Sequence, residues 1–277
     1  MTPCELIRQT AALFHSVGIP DPAWDSALLL AHLTGQPPLN LRLDTDTQLS
    51  EDVLRAFAAL RDRRLERTPL QYLTHEQSFL GHTFYVDERV LIPRPETELL
   101  AERVIHALRP IKAPTALDLC CGSGCIAVSV ALALPGAQVH AADLSPEALA
   151  VTRQNAETLG ARITLHQGDL LAAVKDLRFH LIVSNPPYIP SAECAVLQQE
   201  VLREPFMALD GGGDGLDFYR RISREAPRHL LPGGALFLEV GFDQAKVVCA
   251  LLAAGGFTRT AIHPDLQGIG RMVEAYV

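Results

Sequence analysis

The chain has 277 residues, enough for one large domain or two unequal ones with a substantial core. Its 48% hydrophobic and 20% charged residues are ordinary for a soluble globular protein. A net charge of −8, from 24 basic and 32 acidic residues, argues against a protein that grips phosphate backbones over a broad face.

Met1 to Thr10 has no apolar signal-peptide core, and no stretch approaches a membrane span. A cytoplasmic location with free thiols is therefore expected. Three of the six cysteines crowd at Cys120, Cys121 and Cys125 without the paired C-x2-C spacing of metal sites. Small residues filling a tight turn account for them better, and no metal is expected.

Thr2-Pro3-Cys4-Glu5 reads as a capping box opening a helix with Leu6, Ile7, Leu13, Phe14 and Val17 on its inner face. Asp21-Pro22 starts a second helix, with Trp24, Ala27, Leu28 and Ala31 as its stripe and Gly35 as its end. Pro37 and Pro38 punctuate a loop. Ser50 caps a long third helix that Pro69 halts. The arginines at 55, 61, 63, 64 and 67 are expected on its solvated face, with cations near the C-terminal end. Residues 1–72 thus read as a small helical bundle without catalytic clusters. Phe79 to Val86 has β-branched and aromatic residues around Gly81, which predicts a hairpin, so residues 73–90 are read as a linker. Leu91-Ile92-Pro93-Arg94-Pro95-Glu96-Thr97-Glu98 then leads into a helix at about residues 97–108.

After Pro114, strand and helix signals alternate to the end. The strand candidates are Ala116–Leu119, Gln138–Ala142, Ile163–His166, His180–Ser184, Ala235–Val240, Phe257–Ile262 and Met272–Tyr276. This pattern predicts an α/β domain with a mostly parallel sheet covered on both faces.

Between the first of these strands and its helix runs Asp118-Leu119-Cys120-Cys121-Gly122-Ser123-Gly124-Cys125-Ile126-Ala127, carrying G-x-G-x-x-A. Asp143 ends the next strand, placed to accept hydrogen bonds from both hydroxyls of a ribose. NAD and S-adenosylmethionine enzymes share this pairing. Two features favour S-adenosylmethionine: the turn after the fourth strand, and Gly168-Asp169-Leu170, which resembles the segment flanking adenine in methyltransferases.

That turn is Asn185-Pro186-Pro187-Tyr188, following the apolar run Leu181-Ile182-Val183-Ser184. The prolines offer no N–H and fix their φ, so the chain leaves the sheet stiffly. The Asn185 side-chain oxygen and the Pro186 carbonyl form two neutral acceptors beside a flat ring, a set suited to an –NH2 group. Gly211-Gly212-Gly213-Asp214-Gly215 lacks the Lys-Ser/Thr ending of a phosphate loop and is expected as a turn before a helix at Leu216–Arg224.

These motifs together resemble the HemK/PrmC family, which methylates the glutamine amide nitrogen of peptide-chain release factors. The likeness runs through Pro69-Leu70-Gln71-Tyr72, Ile92 to Glu98, Asp118 to Ala127, Asn185 to Ile189, Glu204-Pro205, Asp214-Gly215-Leu216 and Glu239-Val240-Gly241. The Pro-Arg-Pro-Glu-Thr-Glu run looks like the release-factor branch rather than the relative acting on a ribosomal protein. The resemblance implies a class I, Rossmann-like methyltransferase domain over residues 91–277, with a seven-stranded sheet and a bundle that docks the release factor. It implies S-adenosylmethionine at Asp118, Cys120, Cys121, Gly122, Ser123, Gly124, Asp143, Asp169, Leu170 and Asn185. It places the substrate amide at Asn185, Pro186, Pro187 and Tyr188, with Arg94, Glu96 and Thr97 at the entrance, and catalysis with Asn185, Pro186 and Tyr188. Cys120 stands where the family usually has glycine, and Leu170 where some members have tryptophan. A monomer without direct nucleic-acid or membrane binding is expected. The rival readings are an adenine-N6 methyltransferase, an NAD-dependent oxidoreductase and a non-catalytic release-factor adaptor.

Overall fold

A computed structural model describes residues 1–277, which divide into two compact units. The first comprises Met1–Glu76 with Gln198–Arg203, and the second Gln77–Leu197 with Glu204–Val277.

The first unit is built from α1 (Pro3–Ser16), α2 (Pro22–Thr34), α3 (Pro38–Leu43), α4 (Glu51–Leu65) and α5 (Leu70–Thr74). The capping box forms: Thr2 Oγ1 accepts from the Glu5 N–H, and the Glu5 carboxylate accepts from the Thr2 N–H. Leu6, Ile7, Thr10 and Phe14 are the buried stripe of α1. Leu13 and Val17, expected inside, are exposed. Val17 lies past the last helical residue, where the helical period no longer directs it, and Leu13 stands at the flank of the stripe.

The inner face of α2 also differs from the expectation. Trp24 is exposed, whereas Ser26, Ala27, Leu29 and Leu30 are wholly buried. This helix packs against α1, α3, α4 and α5, so a segment apolar nearly all round buries the side with most neighbours. Pro37 and Pro38, expected in a loop, instead open the short helix α3, where Pro38 occupies the first turn and no N–H is required. The arginine run is corrected at Arg64, which is buried rather than solvated. Its Nε donates to Asp25 Oδ2 at 2.8 Å and its Nη1 to Glu200 Oε1 at 2.9 Å.

The second unit begins with a hairpin, β1 (Glu76–Phe79) and β2 (His82–Tyr85), turned at Leu80-Gly81 with both φ angles positive. Phe79 and Phe84 meet edge to face at 5.9 Å and are wholly buried in the core of this unit. Asn155 clamps the hairpin, its Oδ1 accepting from the Tyr85 N–H at 2.7 Å while Nδ2 donates to the Tyr85 and Ser123 carbonyls.

Beyond it come α6 (Pro95–Leu108), β3 (Thr115–Leu119), α7 (Cys125–Ala133), β4 (Gln138–Asp143), α8 (Pro146–Leu159), β5 (Ile163–Gln167), β6 (Phe179–Ser184), α9 (Ser191–Cys194), α10 (Asp217–Glu225), β7 (Leu230–Glu239), α11 (Ala245–Ala254), β8 (Arg259–Pro264) and β9 (Gly270–Tyr276). Seven strands form one sheet in the order β5-β4-β3-β6-β7-β9-β8, parallel except for β9. Side chains alternate between its two faces: Leu181 and Val183 join the core against α6 and α7, and Ile182 joins the core against α10 and α11. Strand β7 starts at Leu230 rather than Ala235, with Pro232-Gly233-Gly234 absorbed where its pairing with β6 is irregular. No helix is long and apolar enough to cross a membrane.

The chain runs β3, β4, β5 toward one edge, then returns to place β6 on the other side of β3. The order therefore reverses between β3 and β6, and crevices at such points, outside the carboxyl ends of the strands, are where open α/β sheets take ligands.

Candidate active site

A cavity opens at that reversal. Cys120 and Gly122 line it after β3, Asp143 and Leu144 at the end of β4, Asp169 and Leu170 after β5, and Asn185 and Pro187 after β6. A larger recess lies elsewhere, between the hairpin, α6, α7 and β9, lined by Arg103, His106 and Tyr276. It holds none of the expected residues, and size does not override position at the strand ends.

Asp118, Cys121, Ser123 and Gly124 do not line the cavity but build its wall. Asp118 is buried, with Oδ2 accepting from the Ala127 N–H at 3.0 Å and Oδ1 without a partner. Burial pushes its carboxyl up to about 7; the Ala127 N–H opposes this and the Asp143 charge adds to it. Gly124, at φ +78°, packs so closely that a Cβ would come within 2.5 Å of Thr152 Cγ2. Gly122, at φ +54°, faces open space instead. Cys120 adopts φ +62°, a backbone that costs an L-residue about 1–2 kcal/mol and that glycine would take without strain.

Asp143 Oδ2 accepts from the Gly122 N–H at 2.9 Å and Oδ1 from the Ser145 N–H at 2.9 Å. Each oxygen keeps a lone pair for a ligand. Burial raises this carboxyl, and the N–H groups of Ser145 and Gly122 hold it back. Asp169 gives one oxygen to Arg221 at 2.7 Å. Two acids, Asp143 and Asp169, and one cation, Arg89, line the cavity with apolar Leu144, Met207 and Phe218, a mixture that suits a nucleoside with polar ribose hydroxyls and a flat base.

At the end of β6, Asn185 Nδ2 donates to Thr97 Oγ1 at 3.3 Å. Thr97 in turn donates to Glu239 Oε2 at 2.7 Å. The amide nitrogen is thus held inward and Oδ1 is the free end. The Pro186 carbonyl accepts no hydrogen bond from the protein. Tyr188 is half-buried, and burial, followed by the Glu239 charge, pushes its phenol up to about 12, so it stays neutral. Arg94 pairs with Glu204, whose Oε2 also takes the Ile92 N–H at 3.0 Å. Glu96 is half-buried; neither it nor Arg94 lines the cavity.

Behind Tyr188 the Gly211–Gly215 turn closes in. A Cβ at Gly215 would stand 2.3 Å from the Tyr188 carbonyl oxygen, at φ +73°. Gly215→Ala is expected to cost about 2–3 kcal/mol in urea unfolding and to lower turnover by displacing Tyr188.

Sequence reasoning missed Glu239, Leu144, Met207 and Phe218 as parts of this region. For Glu239 a signal existed: an acid closing the apolar run Ala235-Leu236-Phe237-Leu238 is an unusual buried charge.

Residues 95–216 match the Methyltransferase small domain family, and residues 5–74 match the PrmC N-terminal domain. A release factor glutamine methyltransferase of Geobacter sulfurreducens is 44% identical over 257 residues, covering 92% of this chain and 90% of its own. A ribosomal protein uL3 glutamine methyltransferase of Bordetella pertussis is 43% identical over 255 residues, with 90% and 82% covered. Among solved structures, a methyltransferase from Pyrococcus furiosus aligns with a TM-score of 0.54 at 18% identity, over 78% of this chain and 98% of that one, a likeness in fold.

Proposed function

Because the chain belongs to the release factor glutamine methyltransferase family, we propose that it methylates the side-chain amide nitrogen of the glutamine in the Gly-Gly-Gln motif of peptide chain release factors. S-adenosylmethionine supplies the methyl group, on a sulfonium centre that is already a strong electrophile. The observation that carries this reading is the pair of unengaged acceptors at the end of β6: Asn185 Oδ1, on a residue that lines the strand-end cavity, and the carbonyl of the adjoining Pro186.

An amide nitrogen is a weak nucleophile because its lone pair is delocalised into the carbonyl. Asn185 Oδ1 and the Pro186 carbonyl each accept one of its hydrogens. They shift electron density toward nitrogen and stabilise the positive charge that grows there. As the N–C bond forms, the sulfonium S–C bond breaks to give S-adenosylhomocysteine, and the nitrogen sheds one of its two protons, ultimately to solvent. Fixing the nitrogen in line for attack contributes about 7 kcal/mol or more of the barrier reduction. Tyr188 lies along the amide plane and excludes water. Asp143 holds the ribose hydroxyls with its remaining lone pairs, while Leu144, Met207 and Phe218 offer apolar surface to the purine. Asp118, Cys121, Ser123 and Gly124 shape the loop behind, and Cys120, Gly122, Asp169 and Leu170 face the cofactor. Arg94 and Glu96 act at the entrance, the helical unit docks the release factor, and the enzyme works as a monomer.

The uL3-directed relative, nearly as similar as the release-factor ones, sets the form of the test. The purified enzyme and S-adenosylmethionine are incubated in parallel with release factor and with ribosomal protein uL3, and the digests are read by mass spectrometry. One methyl on the Gly-Gly-Gln glutamine is expected. A methyl on uL3 alone would overturn the substrate assignment.

A further inference from the structure

The two ends of an asparagine amide are nearly equal in size, so packing does not decide which of them faces the cavity. Hydrogen-bond polarity does. We propose that Glu239, acting through Thr97, is the positioning residue that fixes the Asn185 amide with its oxygen outward. This rests on the role proposed above for Asn185 Oδ1.

The geometry is a one-way chain. An ionised carboxylate only accepts, so Thr97 must direct its single hydroxyl proton to Glu239 Oε2, at 2.7 Å. The Thr97 lone pair then faces Asn185 and can only take an N–H, as it does from Nδ2 at 3.3 Å. All three groups are sequestered: Thr97 and Glu239 are buried and Asn185 half-buried. A polar network in such a place specifies a single arrangement.

The surroundings of Glu239 leave the polarity open to reversal. Glu96 and Thr97 face it from α6, Asn185 and Tyr188 from the turn after β6, and Arg271 from β9. Tyr219 of α10 donates to its main-chain carbonyl at 2.9 Å, and Cys125 of α7 senses its charge. Burial raises the carboxyl to about 7; Thr97, Arg271 and Asn185 pull it down, and Glu96 pushes it up. Above that value Glu239 is an acceptor only. Below it the acid can donate to Thr97, whose own proton then turns toward Asn185. Asn185 would answer with Oδ1, leaving its NH2 to face a substrate NH2, donor against donor.

The test measures kcat with purified release factor and S-adenosylmethionine for the full chain and for Thr97→Val, Thr97→Ser, Glu239→Gln and Asn185→Ala. Thr97→Val, isosteric but without the hydroxyl, is expected to lose at least ~10-fold in kcat, the scale on which outer partners of a directly acting group work. Thr97→Ser should recover most of that loss, with S-adenosylmethionine affinity unchanged in both. The wild type should lose kcat as pH falls through about 7, and Glu239→Gln should lose that acid limb. Equal kcat for the Val and Ser variants, or an acid limb that persists in Glu239→Gln, would overturn the positioning role. An active Asn185→Ala would instead overturn the reading on which it rests.

Discussion

Asn185→Ala is expected to lower kcat by about 10²–10³-fold while leaving S-adenosylmethionine affinity nearly intact, the scale seen when one acceptor or donor aimed at developing charge is removed. The loss falls on kcat because the amide nitrogen gains positive character only during transfer, so the Oδ1 contact strengthens in the transition state. The side chain engages the rest of the protein through Nδ2, toward Thr97 and Glu239, and is half-buried, so its truncation should leave the fold in place. Asp143→Ala is the complementary case. It removes the acceptor for the Gly122 and Ser145 N–H groups and the group set for the ribose, so cofactor affinity should fall first. Isothermal titration with S-adenosylmethionine, run beside single-turnover methylation, separates the two. Equal losses of affinity in both variants would count against the division of roles.

The parts of this site that could be read from sequence are those whose geometry is local. Asn185-Pro186-Pro187 announces a stiff strand exit because proline chemistry acts on adjacent residues. Gly122 and Asp143 are legible because a left-handed turn and a strand end recur at fixed spacing. Leu144 was not legible as a site residue, and Glu239 stood out only as an acid closing an apolar run, since their roles come from what the fold brings beside them. Thr97 and Glu239, for example, lie 142 residues apart in the chain. The same holds for α2, whose apolar residues run nearly all round, so that the period alone could not choose the buried side. Arg64 is the sharpest case. Cations near a helix end predict a solvated face, and no local signal tells of an acid in the Gln198–Arg203 segment joining the helical unit.

That cluster gives the largest expected effect on stability. Arg64 is 4% exposed and bonds Asp25, Glu200 and the Thr68 carbonyl, while Arg67 takes the second oxygen of Glu200 at 2.7 Å. Arg64→Ala is expected to cost about 3–5 kcal/mol, because it strands the buried Asp25 carboxylate rather than because the pair itself is strongly stabilising. Two consequences separate these explanations. Burial raises the Asp25 carboxyl against the pull of Arg64, so the deficit should narrow as pH falls and Asp25 takes up a proton, and widen as pH rises. And the double replacement Arg64→Met with Asp25→Leu should recover most of the loss, since no charge is left stranded and Glu200 keeps Arg67. Trp24, the single tryptophan, lies in the same helix as Asp25, so its fluorescence in urea reports this unit directly. An Arg64→Ala deficit that stays constant with pH, or a double variant no more stable than the single one, would mean that the guanidinium holds the unit through packing of its stem instead.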